Sequence, residues 1–161
     1  MTVELITAAT PEIHEAMGRL IPQLSRSAAP MSEADVQRFL SQSSVHLFVF
    51  RPDAADAEGN HPILGMLSLA TFEIPTGVRA WIEDVVVDEA ARGQGAGQSL
   101  VVAAIEHAQK IGARTVDLTS RPSREAANRL YQRAGSSCAS ERVPRDAREE
   151  VRTRRLSCLR P

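Results

Sequence analysis

The chain has 161 residues, of which 43% are apolar and 24% charged, and its formal net charge is −1. That is the make-up of one ordinary globular domain, long enough to bury about 70% of its unfolded surface. It excludes a membrane-spanning chain, since no apolar run approaches the ~18 residues a bilayer requires, and a disulfide framework, since Cys138 and Cys158 are the only cysteines. The opening stretch, MTVELITAATPE, has neither the basic nor the apolar segment of a secretory signal, so a cytoplasmic location is expected.

In chain order, Val3 to Ala8 reads as a short first strand. Thr10-Pro11 then starts a helix, the hydroxyl as cap and the proline at the first helical position. Ile13, Ala16, Met17, Leu20, Ile21 and Leu24 repeat there at helical spacing. Pro22 is expected to kink or break this helix, because it cannot donate to the preceding turn. A second helix begins at Ser32 with a capping-box pattern to Asp35, and Val36, Phe39 and Leu40 give it an apolar face.

Val45 to Phe50 is a continuous apolar run of the kind found in buried strands. A polar loop, 51–62, leads to a strand from Ile63 to Ile74; Pro75-Thr76-Gly77 turns the chain, and Val78 to Asp88 is the next strand. A helix from Gln98 to Gly112 follows, with Gly112 where a C-terminal glycine belongs, and Thr115 to Ser120 is the strand after it. A helical pair, an antiparallel meander and a β–α–β succession together predict a mixed α/β (α+β) fold, parallel at the strand after the glycines.

The stretch Arg92-Gly93-Gln94-Gly95-Ala96-Gly97, between the Val85–Val87 strand and that helix, carries the chemistry. A helix N-terminus offers unpaired N–H groups and a partial positive charge, and glycines keep side chains out of the way of an incoming anion. The turn is therefore suited to a pyrophosphate. It is no P-loop, since Gln98-Ser99 replaces the Lys-Ser/Thr pair, and it lacks G-x-G-x-x-G spacing. A plain strand-to-helix connection remains the bland alternative, although three glycines in five residues are costly for one.

Arg92-x-x-Gly95-x-Gly97 resembles the acetyl-CoA signature of the GNAT N-acetyltransferases, Gln/Arg-x-x-Gly-x-Gly/Ala. Ala127 to Gly135, with Leu130-Tyr131, is similar to the same family's A-x-x-L-Y-x-x-x-G-F segment. The resemblance implies an acyl-CoA N-acyltransferase fold, a mixed sheet splayed at the cofactor site with flanking helices. It implies acetyl-CoA as co-substrate, held by the main chain of Val85, Val86 and Val87 along the pantetheine and of Gly93, Gln94, Gly95, Ala96, Gly97 and Gln98 at the pyrophosphate. Arg92 stands at the motif's first position, and Asn128 lies on the cofactor side. Tyr131 corresponds to the general acid of the departing thiolate, a role that a phenol titrating near ~10 suits. Glu83 corresponds to the general base; a carboxylate paired with a nearby Arg is its bland alternative. Because side chains alternate along a strand, Glu83 and Asp84 are expected on opposite faces. Asp117, His14, His46, His61 and His107 have weaker claims.

The resemblance thus implies acetyl transfer from acetyl-CoA to a primary amine of a small molecule or peptide, by direct attack in a ternary complex. No motif supports a metal, a covalent nucleophile, a nucleic acid or a membrane partner. The domain is taken as residues 1–135, with 136–161 as an atypical Arg-rich tail. That tail holds seven arginines and four acidic residues, against twelve basic and sixteen acidic residues before it. Ser136 stands where the family segment has Phe, and a reading frame shifted from that point would explain the change in composition. No alternating apolar stretch follows Gly135, so the closing strands are expected to be atypical or missing, and Glu149 to Leu159 reads as a short helix or a charged tail. An uncovered sheet edge would favour pairing of two copies into a homodimer, and loss of the closing strands would leave a CoA-binding protein with little or no catalysis.

Overall fold

The computed structural model describes residues 2–25, 27–120, 127–129, 131, 137–139 and 154–157. Five strands are long: β1 (Thr2–Ile6), β2 (Val45–Arg51), β3 (Gly65–Ile74), β4 (Gly77–Val87) and β5 (Thr115–Ser120). Two are short, β6 (Ser137–Ala139) and β7 (Arg154–Ser157). The helices are α1 (Pro11–Leu24), α2 (Glu33–Leu40) and α3 (Ala96–Lys110). The strands form one sheet in the order β1-β2-β3-β4-β5-β7-β6, antiparallel throughout except for the parallel pair β4–β5.

The local signals act as expected at the helix ends. Thr10 accepts from the Ile13 N–H at 3.3 Å, and Ser32 and Asp35 close a reciprocal capping box. Beyond α3, the Gly112 N–H reaches the Gln109 carbonyl and the Ala113 N–H the Ala108 carbonyl, a Schellman ending with Gly112 at φ 78°. Pro22 does not break α1: it falls in the last turn, and the helix ends two residues later at Leu24, so little ladder is lost.

Each face of the sheet buries its own core. Phe48, Phe50, Leu67, Leu69, Ala80 and Ile82 pack against Leu100, Val101, Ala104 and Ala108 of α3. Leu47, Val49, Met66 and Val86 pack on the opposite face against Ile13, Met17, Leu20 and Val36 of α1 and α2. Truncating a fully buried leucine such as Leu100 would cost roughly 2–5 kcal/mol.

Of the two expectations for the closing strands, atypical or missing, the second needs correction. Strands do follow Gly135: β7 pairs with β5 through Asp117–Ser157 to Ser120–Arg154, and β6 pairs with β7. Arg154–Ser157 is strand, neither helix nor unstructured tail, and the β5 edge expected to lie open is covered. Backbone pairing at a sheet margin needs no apolar alternation, so strands of three and four residues escape a pattern search.

Candidate active site

The sheet opens between its two parallel strands. The β4–β5 ladder runs from Arg79–Thr115 to Ile82–Leu118 and stops there, while β4 continues to Val87. On its other edge, β5 pairs with β7 from Asp117 to Ser120. Glu83 to Val87 therefore keep β3 on one side and, among the described residues, have no strand on the other. That is the splay the sequence reading anticipated.

A bulge lies at the opening. Met66 of β3 faces Val86 and Ser68 faces Glu83, so Asp84 and Val85 together oppose the single residue Leu67. Asp84 takes φ 50°, the only described non-glycine residue at positive φ. The bulge reverses the facing of β4: Ala80 and Ile82 point to the α3 side before it, and Val85 and Val87 pack on that side after it. Val86 faces α1 and α2. Strict alternation is thus interrupted within residues 83–85, and Glu83 and Asp84 are both exposed.

Val87 leads into Asp88, whose carboxylate accepts from the Ala90 N–H at 3.0 Å and from Gln23 at 3.1 Å. The Ala90 bond, more than the neighbouring Arg19, holds the Asp88 carboxyl below the usual carboxylate range. This pins the strand end to α1. Gly93 and Gly95 then adopt φ 78° and 82°, a region that costs a side-chain-bearing residue about 1–2 kcal/mol. Gly95 is the N-cap of α3 and contributes no side-chain cap. The helix starts at Ala96, earlier than its apolar repeat indicated, so Ala96 and buried Gly97 form its first turn. Such a turn, glycine-lined and uncapped by side chains, can accept an anion on backbone N–H groups. Arg92 is exposed, and its guanidinium donates to Glu89 at 3.1 Å. Gln94 folds back onto the Ala90 carbonyl at 3.0 Å, and Gln98 is half-buried.

Residues 127–129 and 131 are helical. Tyr131 is buried and belongs to the α3-side core, with half-buried Ala127 against it, and Asn128 is buried too. Leu130 and Gly135 lie outside the described residues. The candidate acid and the glycine turn thus share the α3 side.

Glu83 sits differently. It lies two residues from Trp81 and just before the bulge, on the face opposite Ala80 and Ile82, and its Oε1 accepts the Trp81 indole N–H at 2.8 Å. Its partner is this indole; no arginine pairs with it among the described residues. Sequence reasoning missed Trp81 as a site residue, though its i, i+2 spacing from Glu83 was the available signal. Asp117 is opposite Trp81 in the ladder, is buried, and accepts from the Thr115 hydroxyl at 3.1 Å. The histidines take structural contacts: His14 with the Met31 carbonyl, His61 with the Pro52 carbonyl, and His46 with His107.

A cleft of about 830 Å³ lies elsewhere, among Glu4, Glu12, Arg19, Arg51, Asp56 and Ile63. None of the expected site residues lines it, and Arg51 spans it with Nη1 and Nη2 on the Glu12 carboxylate at 2.6 and 2.9 Å. Arg51 is already paired with Glu12 and Glu4 within the protein, and the open strand edge, not this cleft, holds the expected residues and is the candidate site.

Residues 14–135 match the sequence model of the acetyltransferase (GNAT) family. The chain belongs to that family. The same fold recurs in an aminoglycoside acetyltransferase from an uncultured soil metagenomic sample in complex with sisomicin, at TM-score 0.73 and 19% identity over 92% of this chain and 95% of that one. A Trypanosoma brucei acetyltransferase gives TM-score 0.68 and 24% identity over 91% of this GNAT chain and all of the other. A chain of the NatC complex bound to Gag peptide and CoA gives TM-score 0.68 and 20% identity over 98% and 96%. No curated protein sequence matches it. Among the described residues no helix is long and apolar enough to cross a membrane, and no group of three or more His, Cys, Asp or Glu could hold a metal ion.

Proposed function

We propose that this GNAT protein transfers an acetyl group from acetyl-CoA to a primary amine of a small molecule or peptide. The observation that carries the proposal is the β4 edge beyond Ile82, which no described strand covers and which runs directly into an uncapped, glycine-lined helix start. An extended strand edge suits the amides of a pantetheine arm, and the helix N-terminus suits its pyrophosphate. Val85, Val86 and Val87 would serve the first through main-chain groups. Gly93, Gln94, Gly95, Ala96, Gly97 and Gln98 would serve the second, with Arg92 at the rim and Asn128 on the cofactor side. The NatC complex, a chain of which shares this fold, is bound to CoA, which is consistent with this assignment.

The chemistry divides between the two faces of the sheet. On the α1/α2 side, Glu83 takes a proton from the substrate ammonium. The freed amine attacks the thioester carbonyl through the opening, forming the C–N bond as the C–S bond breaks. On the α3 side, Tyr131 gives its proton to the departing thiolate, and the second proton lost by the amine restores the phenol. The nucleophile comes from the substrate, so no covalent enzyme intermediate is needed.

Calorimetric titration with acetyl-CoA, followed by thiol release across a panel of amines, tests the proposal. Binding with turnover on at least one amine is expected; no binding would mean that the glycine turn is only a connection. Tyr131→Phe is expected to lower kcat about a hundredfold and leave acetyl-CoA affinity unchanged. An unaltered rate would remove Tyr131 from the mechanism. A CoA-binding protein without catalysis is the competing reading, but its main support was the missing closing strands, and β7 now lies against β5.

A further inference from the structure

We infer that Trp81 is a positioning residue that holds the Glu83 carboxylate at the mouth of the opening; this rests on the reading of Glu83 as the group that takes the amine proton. An exposed glutamate on an edge that no described strand covers has several rotatable bonds, and a general base must sit within hydrogen-bond reach of the proton it removes. Trp81 supplies the restraint. Its main chain is still inside the closed part of the sheet, paired with Ala70 on β3 and Asp117 on β5. Its indole N–H reaches forward to Glu83 Oε1 at 2.8 Å, where the β5 ladder has ended. The ring is thus anchored where the sheet is shut and directs the carboxylate where the sheet is open.

The identity of the donor matters. An arginine would fix the same carboxylate by a bidentate pair but would bring a permanent countercharge, competing with a substrate ammonium. An indole N–H is neutral and offers a single hydrogen bond. Glu83 keeps a second oxygen and its full charge for the amine. No Lys or Arg pairs with it among the described residues, in contrast to Glu12 and Glu4, which share Arg51.

Trp81 is the chain's only tryptophan, so its indole ¹⁵N–¹H resonance is unambiguous and reports the contact without any enzymatic assay. Glu83→Ala is expected to move that resonance towards the position of a water-exposed indole. An unmoved resonance overturns the inference whatever the activity. In turnover, Trp81→Phe keeps a ring on the strand but lacks the donor; it is expected to lower kcat about tenfold with acetyl-CoA affinity unchanged. In a Glu83→Gln background the same substitution is expected to change kcat less than about twofold, because the group it positions is gone. Independent, additive losses would overturn the inference and make Trp81 a separate substrate contact or a strand-holding residue. Should no amine be acetylated, the transferase reading fails, and the resonance alone still decides whether Trp81 holds Glu83.

Discussion

At the scale of single residues, Asp84 is the most constrained position in the site. It holds φ 50° inside β4, at the bulge that reverses the strand's facing. Aspartate tolerates this region better than most residues, because its short polar side chain can bond locally. A β-branched residue cannot, so Asp84→Val is expected to lower stability by roughly 1–2 kcal/mol in urea denaturation. Asp84→Gly, which accepts positive φ freely, is expected to stay within about 0.5 kcal/mol of the parent. Equal stability of the two variants would show that the bulge is not kept in solution. The same bulge explains why Val85 and Val87 share the face of Ile82, which strict alternation would not give: one inserted residue shifts every later side chain to the other face.

At the scale of elements, α3 must be held firmly, since its first turn is the proposed pyrophosphate site. Near its far end His107 meets His46 of β2, ring centroids 4.5 Å apart, with Phe48 edge-on to His107 at 5.5 Å. Burial pushes both imidazoles below the usual histidine value; His107 adds to this for His46, and Lys110 for His107. Thr71, on β3, lies 3.4 Å from His46 Nε2. Since the folded values lie below the unfolded one, the unfolded chain binds the extra protons, and stability is full above about pH 6.5 and declines as pH falls below it. The urea midpoint is expected to drop between pH 7 and 5, and His107→Gln to flatten that drop. Glu12 and Asp88 have lowered values through Arg51 and the Ala90 N–H respectively, so their contributions are lost only in more acidic solution, through values below the 4.5 and 3.8 of free carboxyls. A midpoint constant from pH 7 to 5 would mean that the two rings are not packed in solution as described.

At the scale of the whole molecule, the sheet has two jobs that conflict. The proposed reaction needs it open between β4 and β5 to admit two substrates, yet an open sheet edge recruits other chains. The order β4-β5-β7-β6 separates the tasks: the ladder parts beyond Ile82–Leu118, while β7 takes the far side of β5. Deleting residues 136–161 would strip β7 and β6 and expose β5. The truncated protein is expected to self-associate with rising concentration in size-exclusion chromatography, whereas the full chain keeps one elution volume. Identical behaviour would mean that the β5–β7 pairing contributes nothing to solubility.

What the residues determined unaided was local or short-range. Caps at Thr10, Ser32 and Gly112, the apolar repeat of α3 and the β-branched run before the glycines are read from chemistry acting within a few positions. The glycine turn belongs with them, because φ 78° at Gly93 and 82° at Gly95 are conditions that only the residue type had to meet. Tertiary structure decided the rest. The bulge at Asp84 arises from a mismatch between two strands, and no period within one strand encodes it. The Trp81–Glu83 bond sits where β5 leaves β4, a boundary set by pairing partners far apart in the chain. The closing strands were invisible because marginal strands are held by backbone hydrogen bonds to a neighbour, and those carry no side-chain signature.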